Sequence, residues 1–339
     1  MSTRDRIARF IERRGSANSA ELGGYLDISR QAVNAHLRAL LDAGTVVKTG
    51  STRNARYHAP SQTPAPASFS RVFGLAGLDE SRVYARIATT LSLRRILRAN
   101  VESILHYAFT EILNNAIDHS QADKCRVRLV LGAGKLLFEI RETGIGVFRS
   151  IRDKLDLEDE QEAMIELVKG KTTTMPQAHT GEGIFFTSKV ADRFSIRSHK
   201  IQIEWDRKHD DVFVSTPHFR KGTTVIFEIR PDSRTKLEDI FSEYAPEEYD
   251  YEFQKTRVHV KLLDTEYISR SEAKRLAHNL NRFLHVELDF RGVDAIGQGF
   301  ADEIFRVFAQ DNPDTKIVAT NLSRNVAAMI RHAGGAVIQ

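Results

Sequence analysis

The sequence predicts a multidomain α/β protein, and three observations carry that prediction. Its 339 residues exceed what one hydrophobic core ordinarily organises, so two or three domains are expected. The residue pattern changes along the chain, from short helical repeats (1–59), through long helices and alternating strands (71–232), to strand–helix alternation (250–339). Between the first two segments, residues 60–70 are expected to form a linker, because Pro60, Pro64 and Pro66 among small polar residues allow neither a core nor a continuing element.

Composition narrows the function classes. Apolar residues make up 41% and charged residues 28% of the chain, as in ordinary globular proteins. No run of about 18 apolar residues occurs, so no membrane-spanning helix is expected. The stretch Met1 to Arg6 lacks an apolar signal core, which points to a cytoplasmic protein. Cys125 is the single cysteine, which leaves no internal disulfide and no cysteine-rich zinc site; its strand-like neighbours suggest a buried packing thiol. The first sixty residues hold ten Arg/Lys against five Asp/Glu, while the remainder is nearly balanced. Such asymmetry suggests a nucleic-acid partner for the first segment.

That segment reads as a winged helix-turn-helix. Ile7, Phe10 and Ile11 form the stripe of a first helix ending at Gly15. Ser19 is placed to cap a short second helix to Leu26, with a turn at Asp27-Ile28. Ser29 caps a third helix whose Val33, Leu37, Leu40 and Leu41 face inward. Arg30, Gln31, Asn34 and Arg38 remain on its outer face, side chains able to reach base edges and phosphates of double-stranded DNA. Gly44 ends this helix. The runs Val46-Val47-Lys48 and Ala55-Arg56-Tyr57-His58 then flank a basic tip containing Arg53, as strands and tip of a wing. It is similar to the winged-helix domain of bacterial repressors.

In the middle segment, helical patterns cover 82–98 and 101–119. Strand patterns follow at 125–131, 136–141, 194–199, 201–205, 211–215 and 224–230. Strands with helices grouped ahead of them suggest a sandwich with one sheet face covered. The most informative stretch is Glu111-Ile112-Leu113-Asn114-Asn115-Ala116-Ile117-Asp118-His119. Glu111 and Asn115, four apart, lie one above the other on a helix otherwise rich in apolar residues. Burying such groups is costly unless something pairs with them. Glu142-Thr143-Gly144-Ile145-Gly146, Gly181-Glu182-Gly183-Ile184 and Gly222-Thr223 follow in order.

This succession resembles the GHKL ATP-binding family, which includes gyrase-type topoisomerases, heat-shock chaperones, mismatch-repair proteins, histidine kinases and anti-sigma serine kinases. The resemblance implies the Bergerat fold and a site for ATP and Mg²⁺. It assigns Mg²⁺ to Asn115, whose amide oxygen suits a hard cation, and the general base to Glu111. Family members read adenine with an aspartate where this chain has Glu142. Gly144 and Gly146 would let the backbone pass beneath the base, and Thr223 would share a water with the carboxylate. Residues 149–180 look like the mobile ATP lid, in which Lys169 or Lys171 could reach the phosphates. Gly181 and Gly183 precede a helix start whose free N–H groups attract phosphate. Asp118 lies a further turn along the Glu111 helix.

The last segment alternates strand-like 257–262, a helix to Phe283 capped by Ser269 and Glu272, a strand at 286–290, a helix at 300–309, a strand at 316–320 and a helix from Ser323. It resembles STAS-like domains, relatives of the anti-sigma-factor antagonists. The loop that carries a phosphorylated hydroxyl in those relatives reads Ala295-Ile296-Gly297-Gln298-Gly299 here, which disfavours autophosphorylation. Asp302 and Glu303 are expected to face solvent or a neighbouring domain. Together these readings predict an ATP-responsive DNA-binding transcriptional regulator with slow ATP hydrolysis, a homodimer by analogy with winged-helix proteins, and a protein partner through the STAS-like domain. The alternative is a serine or histidine protein kinase, or a defence-type ATPase, acting on a partner protein.

Overall fold

The structure is a computed structural model and describes residues 2–49, 55–59, 67–132, 134–172, 181–263 and 266–334. Its first unit holds α1 (Thr3–Arg14), α2 (Ser19–Leu26) and α3 (Arg30–Asp42), then the antiparallel pair β1 (Val47–Thr49) and β2 (Arg56–His58). Each helix has a side-chain cap. Ser2 and Asp5 form a capping box on α1, and Ser29 accepts from Ala32 N on α3. The cap of α2 is Asn18, paired in a box with Glu21, rather than Ser19. An amide oxygen one residue earlier satisfies two free N–H groups, and Ser19 becomes the first helical residue. Ile7, Ile11, Leu22, Val33, Leu37 and Tyr57 close a small separate core. The expected wing tip with Arg53 lies outside the described residues.

The middle unit is a seven-stranded antiparallel sheet in the order β3-β4-β5-β9-β6-β7-β8. Its elements are β3 (Ala67–Gly74), α4 (Glu80–Thr90), α5 (Leu93–Ile96), α6 (Ala99–His119), β4 (Lys124–Gly132), β5 (Lys135–Glu142), α7 (Val147–Leu155), α8 (Glu160–Lys169), α9 (Gly183–Val190), β6 (Arg193–His199), β7 (Ile201–Asp206), β8 (Asp211–Ser215), β9 (Arg220–Ile229) and α10 (Leu237–Tyr244). Strand alternation puts Val127, Leu129, Phe138, Ile140, Phe194 and Phe227 on the helix-covered face, all 2% exposed or less. Phe138 stacks on Phe227 with ring centroids 4.9 Å apart, and Phe109 of α6 meets Phe138 edge-on.

Three expectations are corrected here. The sheet begins at Ala67, inside the stretch expected to be linker, because Phe69 and Phe73 supply the inward side of an edge strand paired along β4. The helix expected over 82–98 is broken at Ser92, which adopts φ 53° after α4. Residues 149–180 are not a lid throughout: α7 buries Phe148 and Ile151, and α8 buries Ala163, Met164, Ile165, Leu167 and Val168. Residues 173–180 lie outside the described set.

The C-terminal unit is a parallel sheet, β10 (Lys255–His259), β11 (His285–Asp289) and β12 (Lys316–Thr320), in sequence order. Crossovers carry α11 (Arg270–Ala277) and α12 (Gln298–Asp302). The latter continues as a π-helical turn over Glu303–Phe308, and a final helix spans Arg324–His332. The Ser269–Glu272 capping box forms as expected, but α11 stops at Ala277, short of Phe283, because His278 turns to an extended conformation. Asp302 pairs with Arg270 and Arg306.

This unit packs against the middle one through a continuous core, in which Phe253 touches Phe185 and Phe186. Along α8 the contact is polar and buried. Lys169, 1% exposed, donates to Glu166 and to the carbonyl of His278. Asn279 donates to Glu166 at 2.9 Å, Thr256 to the Lys169 carbonyl at 2.6 Å, and Arg275 to Glu162 at 2.5 Å. No helix among the described residues is long and apolar enough to cross a membrane.

Candidate functional site

A cleft of about 290 Å³ opens between α6 and the sheet. α6 supplies Glu111, Ile112, Asn115, Ala116 and His119, which recur at helical spacing on the side turned toward the sheet. Beneath them lie Ile140 of β5, Ile196 of β6 and Val225 of β9, and Ile151 of α7 and Leu167 of α8 form the far wall. The floor is therefore aliphatic. The polar groups stand at its two ends, Glu142 and Thr223 at one, Glu111 and Asn115 toward Gly181 and Gly183 at the other.

The Glu142 end is held rigidly. Glu142 is 4% exposed and accepts from the backbone N–H of Gly144. Ile145 N donates to the Ser120 carbonyl at 2.9 Å and locks the turn onto the end of α6. A Cβ at Gly144 would fall 1.8 Å from that carbonyl oxygen, so only glycine fits the approach. Gly146 precedes α7 with φ 86°. Thr223 Oγ1 accepts from Val147 N at 3.0 Å, which ties β9 to the same turn. On β4, directly opposite Glu142 in register, burial and the Glu142 charge push the Cys125 thiol up to about 11. Cys125 is the buried, free thiol the sequence suggested.

At the other end, a Cβ on Gly183 would fall 1.9 Å from Glu111 Oε2, so the Glu111 carboxylate lies against the first residue of α9. Burial first, then the charges of Glu111 and Glu182, raise the Tyr107 phenol well above its ordinary value. This end of the cleft is thus electronegative. An incoming triphosphate would meet like charge there unless a divalent cation accompanied it, and the Asn115 amide oxygen beside Glu111 is suited to such a cation. The residues present therefore fit a nucleotide with a divalent cation: an aliphatic floor able to take a flat base, a buried carboxylate at one end, and at the other an acidic end with an amide that could hold the cation.

Glu111, Asn115, Glu142, Gly181, Gly183 and Thr223 all line this one cleft; Gly144 and Gly146 do not, Gly144 bordering a neighbouring pocket with Thr143 and His199 and Gly146 packing against Ser198 and His199. The two lysines do not reach it. Lys171 Nζ donates to Gln254 Oε1 at 3.0 Å and to the Arg282 carbonyl at 2.9 Å, over the rings of Phe253 and Phe283. Lys169 is sealed in its ion pair with Glu166. Both turn to the C-terminal unit because its carbonyls and aromatic faces pair with a cation that would otherwise be buried alone. Asp118 is exposed and His119 takes the position facing the cleft. Ser120, Ser150 and Leu167 also border the cleft, and the sequence marks them only through the apolar spacing of 147–151 and 163–168.

A family model described as histidine kinase-, DNA gyrase B- and HSP90-like ATPase matches residues 100–233. The middle unit is a GHKL-type ATPase domain. That match begins within the first turn of α6 and ends just after β9, so it takes in every cleft residue named above. A second model, a STAS-like domain of unknown function, matches residues 272–327, from α11 into the final helix. No curated protein matches the chain. The GHKL domain gives the cleft its chemical identity as an ATP-binding nucleotide site.

Proposed function

We propose that this protein is an ATP-responsive DNA-binding regulator of transcription, a homodimer, in which the GHKL site controls how a winged helix-turn-helix engages double-stranded DNA. The observation that carries this reading is the pairing, in one chain, of a GHKL nucleotide site with an N-terminal basic unit of suitable element order. In that unit Arg30, Gln31, Asn34 and Arg38 are exposed along α3. None of the described carboxylates lies within ion-pair distance of Arg30 or Arg38, so both are free to meet phosphate or base edges. Arg53, which lies between β1 and β2 in sequence and outside the described residues, belongs to the same proposal.

At the nucleotide site, Mg²⁺ held by Asn115 would offset phosphate charge. Glu142 would orient the purine, and the N–H groups at the start of α9 would face the phosphates. Glu111 would accept the proton of the attacking water, giving slow hydrolysis that resets the regulator. A nucleotide can bias DNA binding only if the two arrangements of the chain bind it unequally. The cleft offers a route: Leu167 in its wall belongs to α8, whose opposite side is clamped by the STAS-like domain.

The test is a mobility-shift selection for duplex DNA with and without ATP and Mg²⁺, using wild type, Arg30→Ala/Arg38→Ala and Glu111→Ala. The expected result is ATP-dependent affinity in wild type, loss of sequence-specific binding in the arginine variant, and an ATP-locked response in Glu111→Ala. Transfer of labelled phosphate to a protein in cell extract, with no ATP effect on DNA binding, would instead establish the kinase alternative.

A further inference from the structure

On the face of the seven-stranded sheet turned away from the helices, charges are unevenly resolved. Toward the start of β5, ion pairs settle the surface: Lys135 meets Glu228 at 3.1 Å and Arg193 meets Glu204 at 2.5 Å. At the opposite end, where β5 runs into the Glu142 turn, the pattern reverses. Lys124, Arg126 and Arg128 project from β4, all exposed. Arg126 sits directly opposite Arg141 of β5 in the antiparallel register. Thr224 follows on β9 and Arg197 on β6, so the row, which runs from Val72 on β3 to Gln202 and Ser215 on β7 and β8, holds three arginines and no acid.

Like charges directly opposite one another disfavour strand pairing, and this row contains no carboxylate to relieve them. Glu139, opposite Arg128, is the nearest acid by register, yet the two form no ion pair. Arg197 donates to the His218 carbonyl at 2.6 Å, and its buried Nε has no hydrogen-bond partner among the described residues. The sheet therefore carries a stripe of arginines, Arg126 and Arg141 on neighbouring strands about 5 Å apart and Arg197 two strands, about 10 Å, beyond Arg141, on a surface that pairs its charges elsewhere.

We propose that this stripe is a second contact surface for the phosphate backbone of double-stranded DNA, recruited alongside the N-terminal unit. Resting on the DNA-binding reading above, it gives that reading a larger footprint. Guanidinium groups are planar, permanently charged donors matched to phosphate oxygens. Tethering supplies the geometry. From His58, the last residue of β2, to Ala67, the first of β3, the chain can extend at most about 30 Å. That is less than one duplex turn of about 34 Å. DNA held by α3 is therefore kept near the sheet that β3 borders, and the second contact becomes effectively intramolecular. Arg141 is adjacent in sequence to Glu142, so the stripe lies on the reverse of the strand that closes the nucleotide cleft.

The full-length protein carrying Arg126→Ala/Arg141→Ala is compared with wild type by fluorescence anisotropy on labelled duplexes of 12 and 30 base pairs, across a salt series. Wild type should bind the longer duplex more tightly. The variant should lose that length dependence, bind the longer duplex about ten- to a hundredfold more weakly, and show a log–log salt slope shallower by about two. Its melting temperature should not fall, since the removed charges oppose each other, which separates lost binding from lost folding. An unchanged slope and affinity, with binding lost in Arg30→Ala/Arg38→Ala, would overturn the stripe and leave the winged-helix reading standing. Wild-type binding in Arg30→Ala/Arg38→Ala, with loss in the stripe variant, would sink the winged helix and keep the stripe. Competition by polyglutamate as effective as that by duplex of equal charge would reject DNA in favour of an acidic protein surface.

Discussion

The two glycines that approach the cleft most closely should fail in different ways when a methyl group is added. At Gly183 the new Cβ would stand 1.9 Å from Glu111 Oε2 and 3.3 Å from Glu111 Cβ. The obstacle is the end of a flexible side chain, and displacing it costs about 0.5–1.5 kcal/mol of rotamer strain. Gly183 is the first residue of α9, where alanine recovers up to about 1 kcal/mol of helix propensity. The two effects nearly cancel, so Gly183→Ala should unfold within about 1 kcal/mol of wild type. The Glu111 carboxylate must nevertheless retreat by more than 1 Å to restore ordinary contact, and misplacement of that size costs about a hundredfold in rate. At Gly144 the obstacle is backbone: the Ser120 carbonyl oxygen at 1.8 Å and its carbon at 2.7 Å. Relief requires parting the Glu142 turn from α6 and breaking the Ile145–Ser120 hydrogen bond. Overpacking at about 1–3 kcal/mol and one lost bond at about 1 kcal/mol give about 2–4 kcal/mol. Urea denaturation with phosphate-release kinetics measures both quantities. Equal destabilisation of the two variants, or wild-type hydrolysis by Gly183→Ala, would refute the assignment of one contact to catalysis and the other to the fold.

Three further outcomes follow from the same geometry. Glu142→Ala removes the buried acceptor at one end of the cleft and should weaken ATP binding by about ten- to a hundredfold in calorimetry, with Glu142→Gln intermediate. Lys169→Met strands the Glu166 carboxylate, which is 3% exposed, and should cost about 3–5 kcal/mol in chemical denaturation; adding Glu166→Leu should restore much of that loss. Burial pushes His259 down to about 4 from 6.5, beside Asp289 at 3.4 Å. The unfolded chain then binds the extra proton between those values, so His259's contribution is intact above about pH 6.5 and drains as pH falls toward 4. Between pH 7 and 5 the loss from this one group is about 2 kcal/mol, and His259→Gln should flatten the melting temperature over that window.

Much of this architecture was legible because its signals are local. The Ser29 and Ser269 caps, the strand at 211–215 and the Glu111–Asn115 spacing depend on residues a few positions apart, and each appears where the pattern placed it. What was not legible depends on the tertiary partner. β3 carries alternation in Phe69 and Phe73, but Pro60, Pro64 and Pro66 just before it signal a break rather than a strand. α7 and α8 look charged and short, and their apolar residues gain meaning only against the sheet. Lys169 and Lys171 lie close to a phosphate site in sequence; nothing local announces that His278, Gln254 and Arg282, more than eighty residues onward, take their hydrogen bonds.

Those two lysines also constrain how a nucleotide signal can leave the cleft. Leu167 faces the site, while Glu162, Glu166 and Lys169 of the same helix bond to Arg275, Asn279 and His278. Glu166 and Lys169 cannot slide past their partners without uncovering a buried charge, at several kcal/mol. Coupling between two ligand sites is typically worth about 1–3 kcal/mol, too little to break that clamp. A nucleotide that moves α8 must therefore carry the STAS-like domain with it rather than slip beneath it. The freedom for such movement has to lie elsewhere, and two places meet the requirement. One is the backbone after Lys169, where Gly170 has φ 84° and packs its bare Cα against the Phe253 ring. The other is the contact of Lys261 and Arg291 with the β7–β8 turn, where the pairs are more exposed and cheaper to exchange. In the proposed switch the C-terminal domain would be the lever of the nucleotide site, with α8 as its fixed arm.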